Sequence, residues 1–309
     1  MVKRGRGIKV IIFLGFLILL VIPLASAGFF SDFKAKITGQ PTQDTTALSI
    51  TIGNTAPTIT NVEAIQAQNV TESGATSVTF NFTATDTDGG NTINVSSAQG
   101  RFQLSGEATR QNISCVNWSL SGNDVNFTCT IGMYYFDKAA TNWQINVTIK
   151  DNNDARGINE STNFQYNLFT AMVMSPTSLN WTEFGVTATN QESSSNPLVL
   201  NNTGNDIDLT INVTAFNLEG PSGPQYIFAA NLTVNNVAAD CAGGTQMSNA
   251  TSLNVTSTIL QRGNNSLNDQ NATSGQEQTY FCVTAVNSDL SAQSYSSAAY
   301  GAWTIQIIT

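Results

Sequence analysis

Val78-Thr79-Phe80-Asn81-Phe82-Thr83-Ala84 places its apolar residues on one parity and Asn81 and Thr83 on the other. Ile145-Asn146-Val147-Thr148-Ile149, Leu209-Thr210-Ile211-Asn212-Val213-Thr214 and Val125-Asn126-Phe127-Thr128-Cys129 repeat the arrangement. Side chains two apart on a strand share a face, so each stretch reads as a half-buried strand with one wet and one dry side. That pattern belongs to antiparallel sheets and sets the fold class as all-β. Each stretch also holds an N-x-S/T tripeptide on its wet face, the acceptor signature for N-glycosylation in an exported protein. The tripeptide is enriched about twofold over a shuffled chain of this composition. Asn81, Asn126, Asn146, Asn212 and Asn231 are therefore candidate acceptors. Thr is also a good residue for the wet side of a strand, so polar decoration alone is the competing reading.

The N-terminus supports export. Lys3, Arg4, Arg6 and Lys9 precede an apolar run, Val10 to Leu24, and Ala25-Ser26-Ala27 offers a small-x-small cleavage site before Gly28. That order is a secretory signal peptide over residues 1–27. Two alternatives remain open. The apolar run is long enough for an uncleaved anchor, with membrane contact through residues 8–30. A basic stretch leading directly into an apolar helix also resembles a type IV prepilin leader, cut near Gly7. The 309-residue chain carries 12 basic and 21 acidic residues, a formal charge of −9, and removing the leader makes it more acidic still. Such a chain is not drawn to nucleic acid.

Short alternating segments continue outward from the opening stretch. After the leader, 28–56 reads as a lead-in with one strand, Leu48–Ile52, which either pads the edge of its own domain or pairs with a neighbouring copy as an added strand. A first domain, 57–170, takes strands at Thr58–Ile65, Thr76–Thr85, Gly100–Leu104, Asn112–Leu120, Asp124–Gly132, Trp143–Lys150 and Thr162–Asn167. A second, 171–309, takes Ser178–Phe184, Pro197–Asn201, Asp206–Leu218, Tyr226–Val234, Ser252–Leu260, Gln278–Val286 and Gly301–Ile308. Ser121-Gly122-Asn123 marks a hairpin turn, and Asn201-Asn202-Thr203-Gly204-Asn205 another turn. Many short strands between turn signals predict two tandem antiparallel β-sandwiches behind a signal-peptide helix.

Four cysteines suit an oxidising exterior. Their positions predict local pairing, Cys115 with Cys129 and Cys241 with Cys282, against the alternative of buried free thiols. Tyr280 stands two residues before Cys282, as in a tyrosine corner, although Cys241 lies outside any predicted strand.

Ala47-Leu48-Ser49-Ile50-Thr51-Ile52-Gly53-Asn54-Thr55-Ala56-Pro57 leads into Thr85-Asp86-Thr87-Asp88-Gly89-Gly90, then Tyr134-Tyr135-Phe136-Asp137 before Trp143-Gln144-Ile145-Asn146-Val147. Pro197-Leu198-Val199-Leu200-Asn201-Asn202-Thr203-Gly204-Asn205 follows. These stretches resemble tandem immunoglobulin-like or cadherin-like modules of secreted archaeal cell-surface proteins. The resemblance covers nearly all of the chain after the leader and implies surface structure or adhesion rather than catalysis. Partners would be envelope or extracellular proteins, glycans or other copies of the chain; the alternative readings are a subunit of an extracellular filament or pilus, assembled through the N-terminal helix or by strand donation, and a calcium-dependent or carbohydrate-binding module.

With no histidine in the sequence, His-based triads and His-ligated metal centres are excluded. Glutamates are scattered without a strand-end pair, so no enzyme is expected. Calcium is the one cofactor to consider. Asp86 and Asp88 follow one strand and Asp151 and Asp154 another, offering oxygen ligands at strand ends. The same residues are ordinary turn formers. Trp143 and Trp303 fall on apolar parity and read as core; Trp118 and Trp181 lie inside N-x-S/T tripeptides and read as partly exposed.

Overall fold

The computed structural model describes residues 46–263 and 275–309; the leader and residues 28–45 lie outside them. The chain divides into two units, Met1–Gly53 and Asn54–Thr309. Of the first, residues 46–53 are described. They form no strand, and Leu48, Ile50 and Ile52 are exposed, which corrects the strand expected at Leu48–Ile52. Alternation alone does not make a strand, because the backbone groups need a partner.

The second unit is all-β, and every ladder between its strands is antiparallel. Its first eight strands are β1 (Thr58–Val62), β2 (Ala75–Thr85), β3 (Ile93–Gln103), β4 (Arg110–Asn112), β5 (Val116–Ser121), β6 (Asp124–Tyr134), β7 (Ala140–Asp151) and β8 (Arg156–Tyr166). They form two four-stranded sheets, β1-β2-β6-β5 and β4-β3-β7-β8. The dry parity read from the sequence supplies one hydrophobic core: Val78, Phe80, Phe82 and Ala84 of β2, Phe127 and Ile131 of β6, Trp143, Ile145 and Ile149 of β7. Phe82 stacks on Phe127 at 4.8 Å, and Phe102 lies 4.6 Å from Phe164. Each such ring contributes about 1.5–3 kcal/mol by leaving water. β3 passes close to β6 at Gly100, where a Cβ would lie 3.0 Å from Cys129 Sγ.

The strand expected over Asn112–Leu120 is two strands. β4 and β5 belong to different sheets, and the chain crosses between them at Ser114-Cys115, where Cys115 N–H donates to Ala98 O at 3.0 Å. The Gly122-Asn123 turn closes the β5–β6 hairpin as expected, with Gly122 at φ 62°, a conformation that favours glycine.

The remaining strands are β9 (Met172–Ser175), β10 (Thr189–Glu192), β11 (Leu198–Asn202), β12 (Leu209–Ala215), β13 (Leu218–Glu219), β14 (Tyr226–Ile227), β15 (Leu232–Asn235), β16 (Thr245–Gln246), β17 (Thr251–Leu260), β18 (Gln276–Ala285) and β19 (Thr304–Ile308). The order β16-β15-β18-β11-β9, with β10 also on β18, makes one sheet; β17-β12-β19 makes another, and β13 pairs β14. A second hydrophobic core gathers Leu198, Leu200, Leu209, Ile211, Val213, Leu232, Val234, Phe281 and Val283. No strand forms at Ser178–Phe184. There Leu179, Trp181 and Phe184 pack on the second core from irregular backbone, and Asn180 O accepts the hydroxyls of Ser193 and Ser194.

Candidate functional site

The Asp-rich loops lie side by side. Asn152 N–H donates to Thr92 O at 2.9 Å, joining the loop after β7 to the turn after β2. Their carboxylates, however, are already engaged. Asp86 is buried and accepts Asp88 N–H at 2.9 Å and the Thr92 hydroxyl at 2.9 Å. Asp151 is buried and accepts Asn153 N–H at 2.8 Å, Ala155 N–H at 2.9 Å and Asn54 Nδ2 at 2.6 Å. Asp88 accepts Thr55 N–H at 2.7 Å. Asp154 turns outward and pairs with Lys150 at 2.9 Å. Among the described residues no group of three or more acidic or Cys side chains is gathered to hold a metal ion. What the cluster does is clamp Asn54-Thr55 to two strand-end turns. The Asn54 amide, followed by the Ala155 and Asn153 amide protons, holds the Asp151 carboxyl below its usual range against the opposing effect of desolvation.

The acceptor asparagines form a ladder of their own. Asn81 sits opposite Thr128, and Thr83 opposite Asn126, so two tripeptides face each other across β2 and β6. Thr128 donates to Asn81 Oδ1 at 2.6 Å, and Thr83 donates to Asn126 Oδ1 at 2.7 Å. The amide of Asn81 donates to Glu63, and that of Asn126 to Ser119. β12 and β17 repeat the idea, with Asn212 opposite Asn254 and Nδ2 of Asn254 donating to Asn212 Oδ1 at 3.2 Å. Asn81, Asn126 and Asn212 are half-buried on the wet face.

Asn146 corrects the parity reading. It lies on the central strand β7 and is buried, its Nδ2 donating to Gln103 at 3.2 Å and to Glu160. Long polar side chains from the flanking strands β3 and β8 close over it, and its Oδ1 has no partner among the described atoms. Asn231 closes a short 3-10 turn rather than lying in a strand, and the hydroxyl of its tripeptide, Thr233, is buried on Cys241 O at 2.9 Å.

Both expected disulfides form: Cys115–Cys129 beside the first core and Cys241–Cys282 beside the second. The tyrosine corner does not. Tyr280 OH donates to Gln278 Oε1 at 2.8 Å.

Sequence reading missed a buried polar junction between the two cores. Arg110 and Asp137 are both buried and paired at 2.5 Å, with the guanidinium 4.6 Å over the Tyr134 ring. Burial pushes the Asp137 carboxyl above its usual range, and Arg110 pulls the other way. Tyr166, whose OH donates to Tyr134 O at 3.1 Å, is pushed up to about 12 by burial. From the other side, Asn205 Nδ2 donates to Asp137 O at 3.1 Å and to Asn167 O at 3.0 Å. Thr203 donates to Glu72 at 2.8 Å. Arg262 makes a two-nitrogen grip on Glu107, at 3.0 and 2.5 Å, and reaches Phe136 O at 2.7 Å. The turn at Asn201–Asn205 was legible; its burial was not, because a buried polar turn and an exposed one share the same residues.

Neither a family model nor a curated protein matches this chain.

A shallow groove of about 550 Å³ is lined by Gln103, Leu104, Ser105, Thr109, Asn142, Gln144 and Asn163, amides and hydroxyls that form hydrogen bonds but carry no nucleophile and base in partnership. Trp143 and Trp303 point to backbone carbonyls, Lys138 O and Phe216 O, and pack in or on the cores as expected. Trp118 is exposed, whereas Trp181 is half-buried. No helix among the described residues is long and apolar enough to cross a membrane.

Proposed function

We propose that the chain is an exported cell-surface protein that acts without catalysis, in structure or adhesion, as two tandem immunoglobulin-like sandwiches spanning 57–170 and 171–309. One observation carries the reading. Every cysteine is in a disulfide, one beside each core, which points to an oxidising environment. The buried junction adds support, because a spacer or adhesive module gains from holding neighbouring cores in fixed relation. So does a surface of amide and hydroxyl ladders in a chain with only 11% charged residues. Envelope or extracellular proteins, glycans and further copies of the chain are the partners this surface suits.

Intact mass spectrometry of native material, without reduction, tests the proposal in one measurement. The expected result is a chain beginning at Gly28, with both disulfides closed and added glycan mass. A start at Ile8 would replace it with the pilin-type reading. An unmodified chain beginning at Met1 with four free thiols would end it.

A further inference from the structure

Two apolar segments of this chain leave room for a further strand partner. The first is Leu48–Ile52, whose three large side chains are 83%, 82% and 87% exposed and which pairs with no strand among the described residues. The stretch 46–53, Thr-Ala-Leu-Ser-Ile-Thr-Ile-Gly, has no charge and no proline. The second is the edge strand β5. One side of it pairs with β6 and the other is open. Val116, Trp118 and Leu120 are 67%, 61% and 54% exposed, and the pairing with β6 shifts register between Asn117 and Ser119, leaving Trp118 unpaired at a bulge.

Natural edge strands are protected by charge, proline or brevity. β8, an edge of the other sheet, carries Arg156 and Glu160. β5, Val-Asn-Trp-Ser-Leu-Ser, carries neither charge nor proline over six residues. An unprotected edge and an unpaired, alternating apolar segment of similar length in the same sequence are the two halves of a strand-addition contact. Other uncharged edges expose less apolar surface: Ile259 of β17 is 48% exposed and Ile308 of β19 43%.

We propose that Leu48–Ile52 of one copy adds as a strand to the open edge of β5 in a second copy. Donor and acceptor are different surfaces, so the contact is head-to-tail and propagates into a ring or an open filament. Backbone hydrogen bonds supply the pairing, and the alternating Leu48, Ile50 and Ile52 cover the apolar side chains of β5.

The test uses the full chain in mild detergent, with residues 46–53 as a labelled synthetic peptide. The receptor carries Ile50→Asp, which silences its own donor. The peptide is expected to bind, and Trp118→Lys or Val116→Lys to weaken it by at least about tenfold, the scale of an exposed aromatic anchor. Val173→Lys on edge strand β9 should leave it unchanged. All these side chains are exposed, so folding is not at stake, and closed disulfides confirm it. In parallel, the chain without substitutions should associate with rising concentration in sedimentation, and Ile50→Asp should abolish this. Absence of peptide binding, equal binding to Trp118→Lys, a monomer at every concentration, or a glycan on Asn117 of native material would each overturn the proposal. The assay reads pairing rather than location, so its failure leaves the surface-protein reading standing.

Discussion

Asp151 shows what a buried carboxylate does when every oxygen already has a donor. Its lowered pKa means that the ionised form is favoured by folding. The stabilisation is complete above the ordinary carboxyl value of 3.8 and is lost as pH falls through the lower folded value. Asp151→Asn should therefore lower the melting temperature at neutral pH, and its gap from the parent protein should close on acidification. Melts from pH 2 to 7 check this; a gap that does not change with pH would contradict it. The Asn–Thr ladder makes a second prediction at the same scale. A double-mutant cycle on Asn81→Ala and Thr128→Ala should show coupling of about 0.2–1 kcal/mol, as for other cross-strand pairs. The wet parity of these residues was legible from alternation. That the tripeptides face one another was not, because register is set by the β2–β6 pairing rather than by either strand alone. Asn146 escaped for a similar reason. Its neighbours Gln103 and Glu160 come from other strands, so its cover is invisible along the chain.

Among elements, long strands of strong alternation were read well and short ones poorly. β2, β6 and β7 carry four or five buried residues on one parity, a strong strand signal in sequence. β9, β10 and β16 span two to four residues and leave almost no periodic trace. The split of β4 from β5 was hidden because both halves are polar and extended, and the sheet change is carried by the Cys115 amide bond to Ala98. The disulfides were legible from spacing and give the element-scale prediction. Replacing either pair by alanine should cost about 2–4 kcal/mol. Chain entropy ranks them. The Cys241–Cys282 separation of 41 residues exceeds the Cys115–Cys129 separation of 14, so the former should cost about 1 kcal/mol more. Denaturant unfolding of the two double variants decides the order.

For the compact unit as a whole, the question is whether its two cores unfold together. Hydrophobic burial alone would let each melt separately, since the cores are distinct clusters. The junction couples them through polar contacts that water cannot easily replace. Glu107 is 3% exposed and Arg262 19%, so removing the guanidinium leaves a buried carboxylate and the Phe136 carbonyl without it. Allowing for the partial exposure of Arg262, Arg262→Ala should cost about 2–4 kcal/mol of coupling. Gly204→Ala attacks the same junction by shape, because its Cβ would fall 2.1 Å from Phe169 O and push apart the turn that carries Thr203 and Asn205. Calorimetry should show one cooperative transition in the parent protein and two separated transitions in either variant, with the core aromatics still buried below the first. If both variants melt in a single transition shifted only downward, the cores are coupled by something other than this junction.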